Sequence, residues 1–201
     1  MSELERVYEA PGSPVHLETR RTIVRLASEH EAPAVLRYYA ENREHLRPFD
    51  PLRPPQFYDE QFWAAQARQN LELFSADMAL RLFVFLKAEP GRVIGNIGFS
   101  TFVRGVAQHC TLGYSIGQEF EGKGLMMESL QAAITFVFTS LRMHRIEANY
   151  LPHNRRSGNL LRRLGFTAEG YSRDYLQING AWEDHVRTGL INARWSEIDP
   201  S

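Results

Sequence analysis

The chain has 201 residues, 43% hydrophobic and 23% charged, and carries a formal net charge of −1. That length suits one domain with a sizeable core, and the near-neutral balance argues against a general nucleic-acid binder, which is usually basic. No apolar run approaches the ~20 residues of a membrane helix, no basic-then-apolar export signal opens the chain, and the single cysteine, Cys110, fits a reducing cytoplasm.

Residues 1–15 hold Pro11, Gly12 and Pro14 without hydrophobic period, and read as a loose arm before one domain over 16–195. Thr22 to Leu26 reads as the first strand. Ser28 and Glu31 have capping-box spacing and open a helix through about Arg43. Pro33 falls in its early turns and allows a start a few residues later. Pro48, Pro51, Pro54 and Pro55 then break the chain into a loop, and Phe57 to about Phe74 is a second helix. Leu80–Leu86 and Val93–Phe102 read as strands joined by a turn at Glu89–Arg92. A turn near Arg104 and Gly105 leads to a strand containing Cys110 to Ile116, where Cys110 is expected as a packed residue rather than a nucleophile.

The stretch from Ser115 to Met126 reads as strand, glycine-rich turn and helix start. Met126, Met127, Leu130, Ile134, Val137, Phe138 and Leu141 follow at helical spacing. A helix start leaves backbone N–H groups without partners, at the positive end of the helix dipole. Such a turn is a ready anion site, usually for phosphate, and glycine keeps any Cβ from holding the phosphate away. A nucleotide-triphosphate loop would need Ser or Thr after Lys123, where Gly124 stands, so a magnesium ligand is missing. A dinucleotide loop would need a third glycine where Met127 stands. A plain turn between a strand and a core helix also fits the loop taken alone.

Further along, Arg145–Tyr150 is a strand, a short helix follows Asn154, and Tyr171–Ile178 and Trp182–Leu190 flank Asn179-Gly180, a strong hairpin signal. The elements add up to an α/β (α+β) fold. Its central sheet is mixed and mostly antiparallel, with about seven strands and about four helices. A parallel pair is expected where the third helix crosses over.

Two blocks carry a family resemblance. Glu121 to Met126 resembles the pyrophosphate loop of the GNAT N-acetyltransferases, with Glu121 for the usual Gln or Arg and Met126 for a small residue. Asn154 to Ser157, followed by a short helix and Leu164-Gly165-Phe166, resembles the second signature of that family, again behind a strand. Within the family the chain is most similar to the RimJ/RimL branch, the ribosomal-protein N-terminal acetyltransferases, and to its alanine-modifying members. The phrases from Tyr38 to Arg43, Gly113 to Gly117, Gly122 to Met126 and Ala148 to Asn154 carry this, within a likeness that runs from about Leu17 to Leu190.

The resemblance implies acetyl-CoA as donor, with its pyrophosphate on the backbone of Gly122, Lys123, Gly124, Leu125, Met126 and Met127. It places the pantetheine arm along Tyr114, Ser115 and Ile116, and Asn154 against that arm. Asn is also a preferred helix N-cap, and Asn154 can serve both ends. The basic clusters Arg142–Arg145, Arg155-Arg156 and Arg162-Arg163 either face the CoA phosphates or are solvated helix faces. Where many family members carry an acidic Tyr, this chain has Leu161, so Ser157 is the expected partner of the departing thiolate. The position of the family's base corresponds to Asn149, which takes no proton. Glu147 and Asp174 are the candidates, with His153 behind them. No ligand cluster has metal spacing, so no metal is expected.

The implied acceptor is the N-terminal alanine of a ribosomal protein, with no membrane partner and no sequence-specific nucleic acid. An α-amine has a pKa of about 7.7–8.0 against about 10.4 for lysine, so freeing lysine costs about 3.4 kcal/mol more. An N-terminal acceptor therefore needs only a weak base. A small-molecule amine acceptor, or a weakly catalytic CoA-binding protein that associates with ribosomes, is the alternative.

Overall fold

The computed structural model describes residues 15–195. The arm expected over 1–15 lies outside the described residues apart from Val15, which is buried. In chain order the strands are β1 (His16–Glu18), β2 (Thr22–Arg25), β3 (Leu80–Leu86), β4 (Glu89–Val103), β5 (His109–Ile116), β6 (Arg145–Tyr150), β7 (Thr167–Ile178) and β8 (Ala181–Ile191). The helices are α1 (Ala32–Glu41), α2 (Arg43–Leu46), α3 (Glu60–Ser75), α4 (Leu125–Thr139) and α5 (Arg155–Arg163), with short 3-10 turns at Glu29–Glu31, Pro55–Tyr58 and Gln118–Phe120.

One eight-stranded sheet has the order β1-β2-β3-β4-β5-β6-β8-β7. Every pairing is antiparallel except β5 with β6, the pair bridged by α4. The count exceeds the seven strands expected because of β1. It is three residues long with one buried side chain, Leu17, too short to show a period in sequence. The five helices arise because the expected first helix breaks at Asn42. Its side chain donates to the Tyr38 carbonyl and accepts from the Gln118 N–H, so it serves a long-range contact at the break. The helix proper begins at Ala32, after a 3-10 turn in which the Glu31 carboxylate accepts from both the N–H and the hydroxyl of Ser28. β4 begins at Glu89, so the β3–β4 turn is shorter than the sequence suggested and falls at Lys87-Ala88.

The sheet carries helices on both faces, and strand alternation divides the core accordingly. On β3, Leu80, Leu82 and Val84 join the core beneath α4, whereas Phe83 and Phe85 join Val35, Tyr39, Phe57 and Trp63 on the α1–α3 side. Fully burying a side chain such as Phe83 or Phe85 stabilises by about 1.5–3 kcal/mol. On the α1–α3 side Tyr39 stacks on Trp63 at 4.7 Å, and the Trp63 indole N–H donates to the Phe57 carbonyl. That cluster fixes the end of the proline-rich loop. Cys110 is fully buried on β5, and burial pushes its thiol up to about 12, as suits a packing residue.

The sheet forks at the parallel pair. β5 and β6 pair only from His109↔Arg145 to Leu112↔Ala148. Beyond that, Gly113 to Ile116 stay paired with β4 alone, and Asn149 and Tyr150 with β8 alone. Helix α5 sits against β6 beside the fork. A Cβ on Gly158 would stand 2.7 Å from the Tyr150 ring, so glycine is what permits that approach.

Candidate active site

The fork opens into a cleft of about 380 Å³. Its wall on one side is the β5 edge, whose backbone groups from Gly113 onward have lost β6 as a partner. The β5 edge leads to the start of α4. Gly122 and Gly124 both have left-handed φ, +70° and +76°, which L side chains rarely adopt. Gly124 is the N-cap of α4 and supplies no side-chain acceptor. The first N–H groups of α4 therefore keep their hydrogen bonds for something else. Arg156 and Arg163 of α5 line the same cleft, whereas Arg145 is taken up by Glu147 and Glu169, and Arg162 lies 3.3 Å from Asn159.

Nine of the ten residues expected at the donor line this cleft: Tyr114, Ser115, Ile116, Gly122, Gly124, Leu125, Met126, Met127 and Asn154. Lys123 does not. Its carbonyl accepts from Arg21, and its ammonium lies 5.6 Å from the Phe120 ring centre. Asn154 caps α5 by accepting the Ser157 N–H at 3.1 Å while also lining the cleft, so the capping and cleft positions coincide. Glu121, at the unusual first position of the loop, lies 3.4 Å from His45 and pairs with Arg156. Burial and the Arg156 charge hold His45 below its ordinary value, against a bond toward the Ile116 backbone, so its ring is neutral near pH 7.

Ser157 lines the cleft as well, and its Oγ is hydrogen-bonded to the Tyr114 hydroxyl at 2.8 Å. Burial pushes the Tyr114 phenol up to about 12 against the pull of that bond, so it is protonated at neutral pH. The sequence reading used Tyr114 only for its backbone. Nothing in the spacing tied its ring to Ser157, which is 43 residues away.

The two candidate carboxylates stand elsewhere. Glu147 accepts from Arg145 Nε at 3.0 Å and lies 3.8 Å from His109, and it lines neither this cleft nor the second cavity described next. Asp174 is exposed on β7, where its N–H donates to Asp184. Neither lines the cleft. Among the described residues no group of His, Cys, Asp and Glu has metal-binding geometry.

A second cavity, of about 270 Å³, adjoins the cleft on the other side of β5, under the proline-rich loop. Asp50, Arg53, Asn70, Arg81 and Asn96 give its wall polarity. Ser115 stands at the junction, where its Oγ accepts from Asn96 Nδ2 at 2.5 Å and is bonded to the buried Tyr38 hydroxyl at 2.7 Å. The proline-rich loop and the Asn179-Gly180 turn touch directly. The Asn179 N–H donates to the Asp50 carbonyl at 2.9 Å, and Leu52 lies against Gly180.

A strand edge set free at a parallel fork runs into an uncapped glycine-led helix start, an arrangement that leaves backbone groups open to an extended ligand with an anionic end. The chain belongs to the GNAT family: the acetyltransferase (GNAT) domain matches residues 21–167. It is 44% identical over 189 residues to the [ribosomal protein uS5]-alanine N-acetyltransferase of Escherichia coli K12, covering 94% of this chain and 97% of that protein. In structure it is similar to the ribosomal-protein-S5-alanine acetyltransferase from Vibrio fischeri, with TM-score 0.86 and 36% identity over 90% of this chain and 98% of that one. Mycobacterium smegmatis RimJ, solved with CoA-disulfide, shares the fold at TM-score 0.81 and 23% identity, covering 95% of this chain and 91% of that chain.

Proposed function

We propose that this protein transfers the acetyl group of acetyl-CoA to the α-amine of an N-terminal alanine on a ribosomal protein, in the cytoplasm. The observation that carries the donor half is the free β5 edge leading into the uncapped start of α4. An extended amide arm can pair with Tyr114 to Ile116 as an added strand. The pyrophosphate then meets the α4 N–H groups and dipole, with Arg156 and Arg163 nearby. The extent of the similarity to the uS5-alanine enzyme, nearly full length in both chains, supports the acceptor half. The lone buried cysteine suits a reducing compartment, and no described helix is long and apolar enough to cross a membrane.

In this reading the amine nitrogen attacks the thioester carbonyl, the C–N bond forms, and the C–S bond breaks. The departing sulfur needs a proton. The Tyr114–Ser157 pair supplies it: the phenol is the stronger acid of the two, and the serine hydroxyl bridges it to the cleft. Asn154 holds the start of α5 so that Ser157 keeps this position.

The test is to react the protein with acetyl-CoA and a peptide that has an N-terminal Ala and internal lysines, then locate the acetyl group by tandem mass spectrometry. At pH 7 the α-amine is neutral at least about a hundredfold more often than lysine, so the α-amine is expected to carry the label. Acetylation mainly on lysine would remove the N-terminal assignment. Reaction of small amines only, with no peptide product, would put a small-molecule acceptor in its place.

A further inference from the structure

The donor cleft and the second cavity share three lining residues: Asp50, Tyr114 and Ser115. Any group that passes from one space to the other must pass them. Resting on the acetyltransferase reading above, we propose that Asp50 receives the α-ammonium of the acceptor and takes its proton.

Asp50 is the one carboxylate on the wall of the second cavity, which also presents the cations Arg53 and Arg81. An ammonium entering there without Asp50 would meet two like charges and no counter-charge. Both Arg53 contacts fall on the same oxygen, Nε at 3.2 Å and Nη2 at 2.7 Å from Oδ2. Among the described residues Oδ1 accepts no hydrogen bond. The carboxylate is thus oriented by one oxygen and leaves the other for a ligand. Its position is set from two sides. The Arg53 guanidinium lies 4.6 Å over the Phe57 ring, part of the buried aromatic cluster, and the Asp50 carbonyl takes the Asn179 N–H from the β7–β8 turn. The side chain is 22% exposed, so an ion pair there is less screened than on open surface.

The other titratable and charged groups around this junction are Arg81 on β3, Tyr38 and Tyr39 on α1, His45 on α2, Tyr114 on β5 and, in the donor cleft, Glu121, Arg156 and Arg163. Burial first, and then the Asp50 charge among others, pushes the Tyr38 and Tyr39 phenols up, so both stay neutral and do not compete for the ammonium proton. His45 is held down and uncharged, as described. Glu121 pairs with Arg156, so Asp50 is the carboxylate of the junction with an oxygen left for the ammonium.

The protons balance. The ammonium gives one to Asp50 Oδ1 and becomes a nucleophile. As the amide forms, the nitrogen gives up a second proton, which replaces the one that the Tyr114–Ser157 pair passes to the departing sulfur. Asp50 then releases its proton to water. The sum is one ammonium and one thioester converted to one amide, one thiol and one proton.

The experiment compares the full chain with Asp50→Asn and Asp50→Glu. Asparagine keeps the backbone bond to Asn179 and nearly the same volume, but no charge. For an Ala-terminated peptide, Asp50→Asn is expected to lower kcat/KM by about 100-fold, with CoA affinity measured without peptide unchanged within twofold. Asp50→Glu should recover part of the loss. The pH profile is the sharper readout. The wild type should be flat between pH 6 and about 7.5, because it binds the ammonium form and deprotonates it in place. Asp50→Asn must wait for free amine, so its kcat/KM should rise about tenfold per pH unit toward the α-amine pKa of about 7.7–8.0. A variant within threefold of wild type, a variant with the same flat profile, or an equal loss of CoA affinity overturns the proposal. A second arm does not depend on turnover: calorimetry of the free-amine peptide and its N-acetylated form with the CoA-loaded protein. Wild type should prefer the free amine, and Asp50→Asn should lose that preference. If wild type acetylates no peptide, the functional reading falls, and this arm still decides whether Asp50 holds an ammonium.

Discussion

Under the proposed function, the donor side of the cleft comes mainly from one continuous stretch, β5 through α5, and would bind largely through backbone. The second cavity, proposed as the acceptor side, is gathered from α1, the proline-rich loop, α3, β3, β4 and β5, and takes its polarity from side chains. A backbone site needs only small residues where the chain must turn, as at Gly122 and Gly124, and it is written in local spacing. A side-chain site needs groups from distant segments held in register. Asp50 lines the same spaces as Tyr114 and Ser115, held there by Arg53, which lies over the Phe57 ring, and by the β7–β8 turn. The donor side should therefore be broken by adding atoms, and the acceptor side by removing charge.

The largest expected effect follows from the first half of that contrast. Gly124→Val puts a branched side chain at φ +76°, where its Cβ also comes within 3.4 Å of Arg21. It should weaken CoA binding by at least about 100-fold, as loss of a close backbone approach to a phosphate implies. Thermal unfolding should still be cooperative, since the position lies at the end of α4 and outside the core. Calorimetric titration with CoA checks it, and unchanged affinity would take the loop out of the site.

Next come the two hydroxyls. Tyr114→Phe should lower kcat by about 10–100-fold, and Ser157→Ala by about tenfold, each with CoA affinity nearly unchanged, because a proton passed to a departing thiolate matters in the transition state. The order follows from acidity, a phenol near 12 against an alkyl hydroxyl that is weaker still. Steady-state rates at saturating acetyl-CoA give the ranking. The reverse order would make Ser157 the donor and Tyr114 its support.

Much of this was legible in the chain alone. The glycine loop, the strand before it, the α4 stripe, the Asn154–Ser157 block and the Asn179-Gly180 hairpin are local patterns, and the structure has each element, though β7 begins at Thr167, four residues before the run at Tyr171, and α4 ends at Thr139, short of Leu141. The parallel pair at the α4 crossover follows from connection geometry. What escaped was non-local. Strand β1 is defined by pairing with β2, not by period. The helix break at Asn42 makes sense only with Gln118 in view. Glu147 shares a strand face with Asn149, yet Arg145, on the same face two residues earlier, occupies it. Asp50 and the Tyr114 ring carried no spacing signal, since their partners are set by the fold.

The smallest effect tests how far the donor side depends on side chains at all. Glu128, in the first turn of α4, accepts from Thr19 Oγ at 2.8 Å, from the Arg21 N–H at 2.9 Å and from Arg21 Nε at 2.9 Å. It ties the β1–β2 turn to the helix that carries the glycine loop, and Arg21 in turn donates to the Lys123 carbonyl. Burial alone would raise the Glu128 carboxyl, but the hydrogen bonds from Arg21 and Thr19 outweigh it and hold the group below its ordinary value. A carboxyl depressed by folding adds stability above its unfolded pKa and loses it as pH falls through the folded value. Glu128→Gln keeps the shape and removes the charge, so it should cost about 1–2 kcal/mol near pH 7. The wild type and the variant should converge in stability only as pH falls below the ordinary carboxylate range, through the depressed folded value of Glu128. CoA affinity should fall only a fewfold, because the N–H groups of α4 remain. Urea unfolding followed from pH 7 down through the carboxylate range measures the first, and calorimetry the second. A loss of affinity as deep as that of Gly124→Val would show that the loop is held by this ion pair rather than by its own backbone geometry, and the contrast between the two sides would narrow.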